Sequence, residues 1–261
     1  MVDIKKVTEL VKSTANIINN IEIRQAITIK GPADFVTMVD TEVQKYLRNR
    51  LLELYPDIQF MGEEGEKNSI DFHGSVWILD PIDGTTNLIY SYPAYAVSLG
   101  LVENGESVLG VVFLPSSGEI FYAQKGKGAY LNGKRIRVSD TALLSDSLMG
   151  IGTSPYDKEK LADINFKLIH NLFIKCNDIR RSGSAAFDLC CVACGRIDGF
   201  IERNLKPWDY AAGCAILKEA GGKITSMSGG RVTFDKNCDI LASNGKNYNE
   251  IADVIKESCK D

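Results

Sequence analysis

Ile4, Val7, Val11, Thr14, Ala15 and Ile18 recur at steps of three and four, the period of one helical face, and predict an amphipathic helix over residues 4–18. Val43, Tyr46, Leu47, Leu51 and Leu54 repeat the pattern, with Arg50 among them, so a second helix covers residues 43–54 until Pro56 stops it. Beyond that point the period shortens to that of strands. Residues 58–62 form an apolar stretch running into Glu63 and Glu64, and residues 75–79 form another running into Asp80. Strands over 95–102 and 107–114 flank Asn104-Gly105, a pair whose left-handed backbone preference marks a tight hairpin. Strands over 119–124 and 129–131 follow, and Asn132-Gly133 marks a second turn of the same kind.

From residue 148 onward helical and strand periods alternate. Helices are expected over 158–173, 184–193, 210–220 and 248–257, and strands over 176–180, 199–202, 223–226 and 240–243. Alternation of this kind implies a layered α/β half of about 145–261 behind a mainly antiparallel first half of about 1–140. No internal repeat, low-complexity tract or linker separates them, so the two halves are expected to pack as one catalytic unit with a weak seam over 139–147.

Composition narrows the class. Of 261 residues, 44% are apolar and 25% charged, enough for a buried core without disulfide staples. The balance of 30 Lys and Arg against 34 Asp and Glu leaves a net charge of −4, which argues against nucleic acid as the partner. Arg180, Arg181, Arg196, Arg203 and Lys206 are the one local basic exception, and such a group is ordinarily a solvated face. No apolar run approaches the ~20 residues that span a bilayer, and the opening residues lack a signal-peptide core. Seven scattered cysteines suit reduced thiols, so a cytoplasmic protein is expected. Cys191 and Cys194 form a C-x-x-C within a helical pattern, with no strand before it and no second pair, and core packing accounts for them.

The stretch Asp80-Pro81-Ile82-Asp83-Gly84-Thr85-Thr86-Asn87 carries the most chemistry. It leaves a hydrophobic strand, turns on a glycine and starts a short helix before Pro93, so two carboxylates three residues apart can point the same way. The backbone N–H groups of Gly84, Thr85 and Thr86 then lie at a helix start and suit phosphate oxygens. A haloacid-dehalogenase-type phosphatase needs its two aspartates two residues apart, which this spacing excludes. Taken singly, Asp83-Gly84 is a turn, Glu63-Glu64 a solvated acidic turn, and Asp209 a cap for the helix over 210–220. A fold bringing Glu63, Asp80, Asp83 and Asp209 within ~4 Å would cost about 4 kcal/mol per like-charged pair at an effective dielectric of 20. Bound cations or protonation would offset that cost. All-oxygen ligands with no histidine or cysteine beside them select magnesium over zinc, and His73 and His170 both lie outside these motifs.

Several segments in order resemble the inositol monophosphatase family of magnesium-dependent, lithium-sensitive phosphatases over essentially the whole chain. They are Lys30-Gly31-Pro32-Ala33-Asp34 with Thr37 and Asp40, Gly62-Glu63-Glu64, the run from Trp77 to Asn87, Gly126-Lys127-Gly128-Ala129, Gly183-Ser184-Ala185-Ala186 and Lys206-Pro207-Trp208-Asp209. The resemblance implies a five-layered α-β-α-β-α sandwich, a homodimer, and two or three magnesium ions per site. Glu63, Asp80 and the carbonyl of Ile82 would hold one ion, Asp80, Asp83 and Asp209 a second, and Glu63 would link to a weaker third through water. Asp40 and Thr85 resemble the pair that orients or deprotonates the attacking water, with Glu63 beside them. Gly84, Thr85 and Thr86 would bind the phosphate, while Gly183, Ser184, Ala185, Glu202 and Asp209 would face the rest of the substrate. The expected reaction is in-line hydrolysis of a small phosphate monoester by a water that the metals activate. Glu202, a carboxylate suited to paired hydroxyls, favours a polyol phosphate such as inositol 1-phosphate. Arg180, Arg181, Arg203 and Lys206 leave room for a second phosphate, so fructose-1,6-bisphosphatase, histidinol-phosphate and nucleotide phosphatase readings stay open. A regulatory protein-binding role, attributed to some bacterial relatives, is the alternative of another class.

Overall fold

The computed structural model describes residues 2–20, 27–31, 34–65 and 69–259, with the backbone alone for 27–31 and 34–36. Pro32 and Ala33 of the Lys30–Asp34 motif lie outside the described residues. Two strands, β1 (Ile27–Gly31) and β2 (Asp34–Thr37), form an antiparallel pair. A seven-stranded sheet runs in chain order through β3 (Gln59–Gly62), β4 (Ser75–Asp83), β5 (Ala96–Glu103), β6 (Glu106–Leu114), β7 (Glu119–Gln124), β8 (Ala129–Leu131) and β9 (Lys134–Ile136). Only β3 and β4 pair in parallel; the remainder is the expected meander. Asn104 and Gly105 both take positive φ (51° and 69°), as do Asn132 and Gly133 (49° and 81°), the backbone those turns require. The second sheet has the order β11-β10-β12-β14-β13, built from β10 (Leu148–Ile151), β11 (Asp178–Arg180), β12 (Gly199–Leu205), β13 (Lys223–Ser226) and β14 (Cys238–Ser243).

Side-chain alternation along the strands separates the layers. On β4, Trp77 and Leu79 face a core shared with Val7 and Val11 of α1 (Ile4–Lys12) and with Val43, Leu47 and Leu51 of α3 (Met38–Leu54). Val76 and Ile78 face the opposite way, into a core with α6 (Ala185–Ala193) and α7 (Pro207–Glu219). Phe200, Ile240 and Ala242 of the second sheet close that core from the far side. Their neighbours Ile201 and Leu241 point outward onto Leu168 and Leu172 of α5 (Lys158–Phe173) and Ile251 and Val254 of α8 (Tyr248–Ser258). The order is therefore α-β-α-β-α, the five layers expected. Central helix α7 lies hard against the first sheet: a Cβ on Gly110 would meet the backbone oxygen of Ala212 at 2.2 Å.

Several boundaries differ from the sequence pattern, among them the end of β4, which runs on from residue 79 through Asp80 to Asp83. The N-terminal helix breaks into α1 and α2 (Ala15–Ile18), because Ser13 Oγ and Thr14 Oγ1 donate to the carbonyls of Leu10 and Val11, each at 2.7 Å, and compete with the helical ladder. Helix α3 begins five residues ahead of its apolar stripe, at Met38, under a capping box in which Thr37 Oγ1 accepts from Val39 N and Asp40 Oδ2 accepts from Thr37 N. Helix α7 begins at Pro207 rather than at residue 210, so Asp209 sits inside the first turn and is not the residue preceding the helix. Strand β12 continues past Glu202 to Leu205 through a register shift.

Candidate active site

Strand β4 delivers two acids to one place by an irregularity. Asp80 pairs with Ser98 and Asp83 with Ala96, so three steps on β4 oppose two on β5. In a regular strand residues 80 and 83 would face opposite sides of the sheet; the extra residue of the bulge turns both toward the end of α7. There Asp209 joins them, and one carboxylate oxygen from each of Asp80, Asp83 and Asp209 lies within 4.8 Å of the others. Each acid is anchored. Asp80 Oδ1 accepts from Ile82 N at 3.0 Å, Asp209 Oδ2 from Lys206 N at 2.7 Å, and Asp83 Oδ2 from both Ser184 Oγ and Ala186 N at 2.6 Å. Glu63, at the end of β3, shares a hydrogen bond with Asp80 and lines the same pocket.

Crowding and burial push these groups toward their protonated forms. Desolvation, followed by the charges of Glu63, Asp83 and Asp209, holds the Asp80 carboxyl well above the ordinary carboxylate range. Asp209 is raised well above it by the same burial and by Asp83 and Glu63. Asp83 is raised by burial to about 6, against the pull of the hydrogen bonds from Ser184 and Ala186. Three carboxylate oxygens converging at this density, with Glu63 beside them, match a hard divalent cation. Among the described residues no histidine or thiol lines the pocket, so the donor set fits magnesium better than zinc.

Asp40 and Thr85 meet beside this cluster. Thr85 Oγ1 is 2.9 Å from Asp40 Oδ1 and 3.0 Å from the Ile82 carbonyl, while Asp40 Oδ2 accepts from Thr37 N at 2.8 Å and Thr37 Oγ1 at 2.5 Å. Asp40 is fully buried, and that burial raises its carboxyl despite the three hydrogen bonds. Gly84 takes a left-handed conformation (φ 91°, ψ 41°) at the start of α4 (Thr85–Ile89), where the N–H groups of Thr85 and Thr86 have no partner within the helix, and all three residues line the pocket.

The pocket encloses about 440 Å³ and extends from the acids to Glu202, Arg181, Lys206, Gly183 and Ala185. Burial raises Glu202 to about 7, and its Oε1 accepts from Ser154 N at 3.2 Å. Glu202 packs so closely on Gly152 that a Cβ there would meet its carboxylate at 1.9 Å. Ser184 is buried, its hydroxyl donates to Asp83 and it is not among the residues lining the pocket, whereas Gly183 and Ala185 are. The basic group seen in the sequence disperses. Arg180 pairs with Asp178, Arg196 with Glu119 and Arg203 with Asp239, leaving Arg181 and Lys206 in the pocket. Sequence reasoning missed Gly152, Pro155 and Tyr156, which come from a loop with neither period nor motif. It also missed both bonds of Asn87, whose Nδ2 donates to the Ala94 carbonyl at 2.5 Å and, across 95 residues, to that of Ser182 at 3.0 Å.

His73 and His170 are exposed and away from the pocket, and all seven cysteines are free. Cys191 is buried, and desolvation lifts its thiol to about 12, which removes thiolate character at neutral pH. Among the described residues no helix is long and apolar enough to cross a membrane.

Residues 3–260 match a family model described as the inositol monophosphatase family. The fructose-1,6-bisphosphatase/inositol-1-monophosphatase of Thermotoga maritima is 40% identical over 228 residues, 87% of this chain and 84% of that protein. The Nus factor SuhB of Xylella fastidiosa is 38% identical over 246 residues, 92% and 88% of the two chains. Among solved structures, the extragenic suppressor protein SuhB of Bartonella henselae superposes with a TM-score of 0.90 at 33% identity, covering 97% of this chain and 98% of its own.

Proposed function

The chain belongs to the inositol monophosphatase family and is a phosphoric monoester hydrolase, and we propose that it hydrolyses a polyol phosphate of the inositol 1-phosphate type with magnesium as cofactor. The observation that carries this reading is the meeting of Asp80, Asp83 and Asp209 within 4.8 Å, beside Glu63, in a pocket that opens onto Glu202. Glu63, Asp80, the Ile82 carbonyl, Asp83 and Asp209 would hold the magnesium. When bound, magnesium supplies charge neutralisation of the dianionic ester and Lewis-acid activation of water.

The remaining chemistry belongs to the chain's own groups. With its proton donated to Asp40 or to the Ile82 carbonyl, Thr85 Oγ1 has lone pairs left to accept a hydrogen bond from a water, and so orients that water for in-line attack. Asp40, raised by burial, takes up a proton at higher pH than an ordinary carboxylate and can receive one through Thr85. The N–H groups of Gly84, Thr85 and Thr86 hold phosphate oxygens. Glu202 accepts from ring hydroxyls and, near neutral pH, changes between acceptor and donor. Ser184 and Ala186 keep the shared carboxylate of Asp83 in one orientation.

A second substrate reading has its own support: Arg181 and Lys206 share the pocket with Glu202 and suit a second anionic group, as in a sugar bisphosphate. The name of the Xylella relative adds a regulatory reading, in which the chain also engages a protein partner. Release of inorganic phosphate from inositol 1-phosphate, fructose 1,6-bisphosphate, histidinol phosphate and 3′-phosphoadenosine 5′-phosphate, with and without magnesium, tests the assignment. Turnover of inositol 1-phosphate that depends on magnesium supports it; magnesium-independent turnover, or none with any of the four, overturns it. Capture of the same partner by wild type and Asp83→Asn would support the regulatory reading.

A further inference from the structure

Gln44 stands one turn after Asp40 on α3 and reaches across to the end of β3. Its Nε2 donates to the Glu64 carbonyl, and its Oε1 accepts from Glu64 N at 3.0 Å. The orientation of the amide is fixed by this pairing, since a backbone N–H can only donate and a carbonyl only accept. On the other side, Glu63 N donates to the Leu79 carbonyl at 3.1 Å and continues the parallel ladder of β3 and β4. The two residues that follow β3 are thus held from both flanks, by a strand and by a side-chain amide. Glu63, whose carboxylate meets Asp80, sits on that clamped segment.

The neighbouring glycine bears the mark of the same contact. Gly62 lies in strand β3 and is not among the glycines with positive φ, so its backbone suits any residue. A Cβ there would lie 2.1 Å from Gln44 Oε1 and 2.6 Å from Gln44 Cδ. The absence of a side chain at 62 is what lets the amide come close enough to bridge both backbone groups of Glu64.

We propose that Gln44 is a positioning residue: its amide clamps the backbone of Glu64 so that Glu63 is pre-set toward Asp80 for the divalent cation. The inference rests on the reading that Glu63 and Asp80 hold magnesium. It gives α3 two tasks on successive turns, Asp40 toward Thr85 and Gln44 toward the turn bearing Glu63. Groups that orient metal ligands typically change metal affinity about 10- to 100-fold when removed.

The test is direct titration of the metal-free enzyme with Mn²⁺, by calorimetry and by the electron paramagnetic resonance signal of the free ion, in wild type, Gln44→Ala, Gln44→Glu, Gly62→Ala and the Gln44→Ala/Gly62→Ala double variant. Gln44→Ala should weaken Mn²⁺ binding about tenfold and raise the Mg²⁺ needed for half-maximal activity by a similar factor, with most of the turnover regained at saturating metal. Gln44→Glu keeps the acceptor for Glu64 N but loses the donor, and should fall between Gln44→Ala and wild type. Gly62→Ala should weaken binding in the wild-type background and change it little once Gln44 has been truncated. Unchanged Mn²⁺ affinity in Gln44→Ala, or an equal loss from Gly62→Ala in both backgrounds, overturns the proposal. If Gln44→Ala does not fold, wild-type affinity in both Gln44→Glu and Gly62→Ala overturns it equally. A wild type that takes up no Mn²⁺ overturns the underlying metal reading instead, so the two failures are distinguishable.

Discussion

Asp40 and Asp209 occupy the same position in two different helices: each stands third, and Oδ2 of each accepts the backbone N–H three residues earlier, from Thr37 at 2.8 Å and from Lys206 at 2.7 Å. One oxygen thus satisfies a helix start while the other is left for chemistry, and in Asp40 that second oxygen takes the Thr85 hydroxyl. A helix N-terminus favours negative charge there, which offsets part of the burial of both acids.

Asp83→Asn keeps side-chain volume and an acceptor for Ser184 Oγ and Ala186 N, but removes a charge from the cluster. Magnesium-dependent phosphate release should fall by about 10²-fold or more, with the unfolding midpoint of the metal-free protein unchanged or raised. Full activity in this variant would exclude Asp83 as a ligand.

The pH dependence of stability follows from the raised acids. Glu202 and Asp83 bind protons more tightly in the folded state, with values of about 7 and about 6 against model values of 4.5 and 3.8. A carboxyl shifted upward on folding contributes most below its unfolded value, and that contribution is lost as pH rises through the folded one. The chelator-treated protein should therefore lose stability between about pH 4 and 7, by a few kcal/mol, and regain it with magnesium at pH 7.5. Urea melts at pH 5 and 7.5 would check this; Glu202→Gln should flatten the profile.

Gly152→Ala places a methyl where the Glu202 carboxylate now lies, at 1.9 Å from its carbon. The flexible carboxylate gives way, so KM for inositol 1-phosphate should rise about tenfold while hydrolysis of p-nitrophenyl phosphate, which has no ring hydroxyls to offer, changes little. Parallel kinetics on the two esters decide it.

Gly110→Ala meets backbone, at 2.2 Å from the oxygen of Ala212, and backbone cannot step aside. Helix α7 must lift from the first sheet. A loss of about 3 kcal/mol in urea unfolding is expected, at the upper end for overpacking a core. Because Asp209 rides on the same helix, magnesium affinity should fall with it.

Periodicity made most helices and strands legible, though not β1, β2, β9 or β10, and the Asn-Gly pairs marked both hairpin turns, because these signals are local: a left-handed φ or an apolar stripe is written within a few residues. The boundaries it missed were set by side chains acting on backbone. Ser13 and Thr14 broke a helix whose apolar stripe ran straight through them, and Pro207 opened α7 three residues early. Glu63 and Asp80 were visible as acids at strand ends, Asp83 in the turn that follows and Asp209 as a helix cap. That Ser184 is committed to Asp83, that Arg180 and Arg203 are neutralised by Asp178 and Asp239, and that Gln44 bridges Glu64 were not.

By itself the sequence determined the order of most elements, the two turns, and which side chains have the chemistry to hold a divalent cation and a phosphate. Only the tertiary structure decided which of them meet: a one-residue bulge in β4 turned Asp80 and Asp83 to one side, and α7, seated on Gly110, brought Asp209 to them from more than a hundred residues away. Propensity acts over a few residues, whereas the approach of like charges is settled by packing that spans the whole chain.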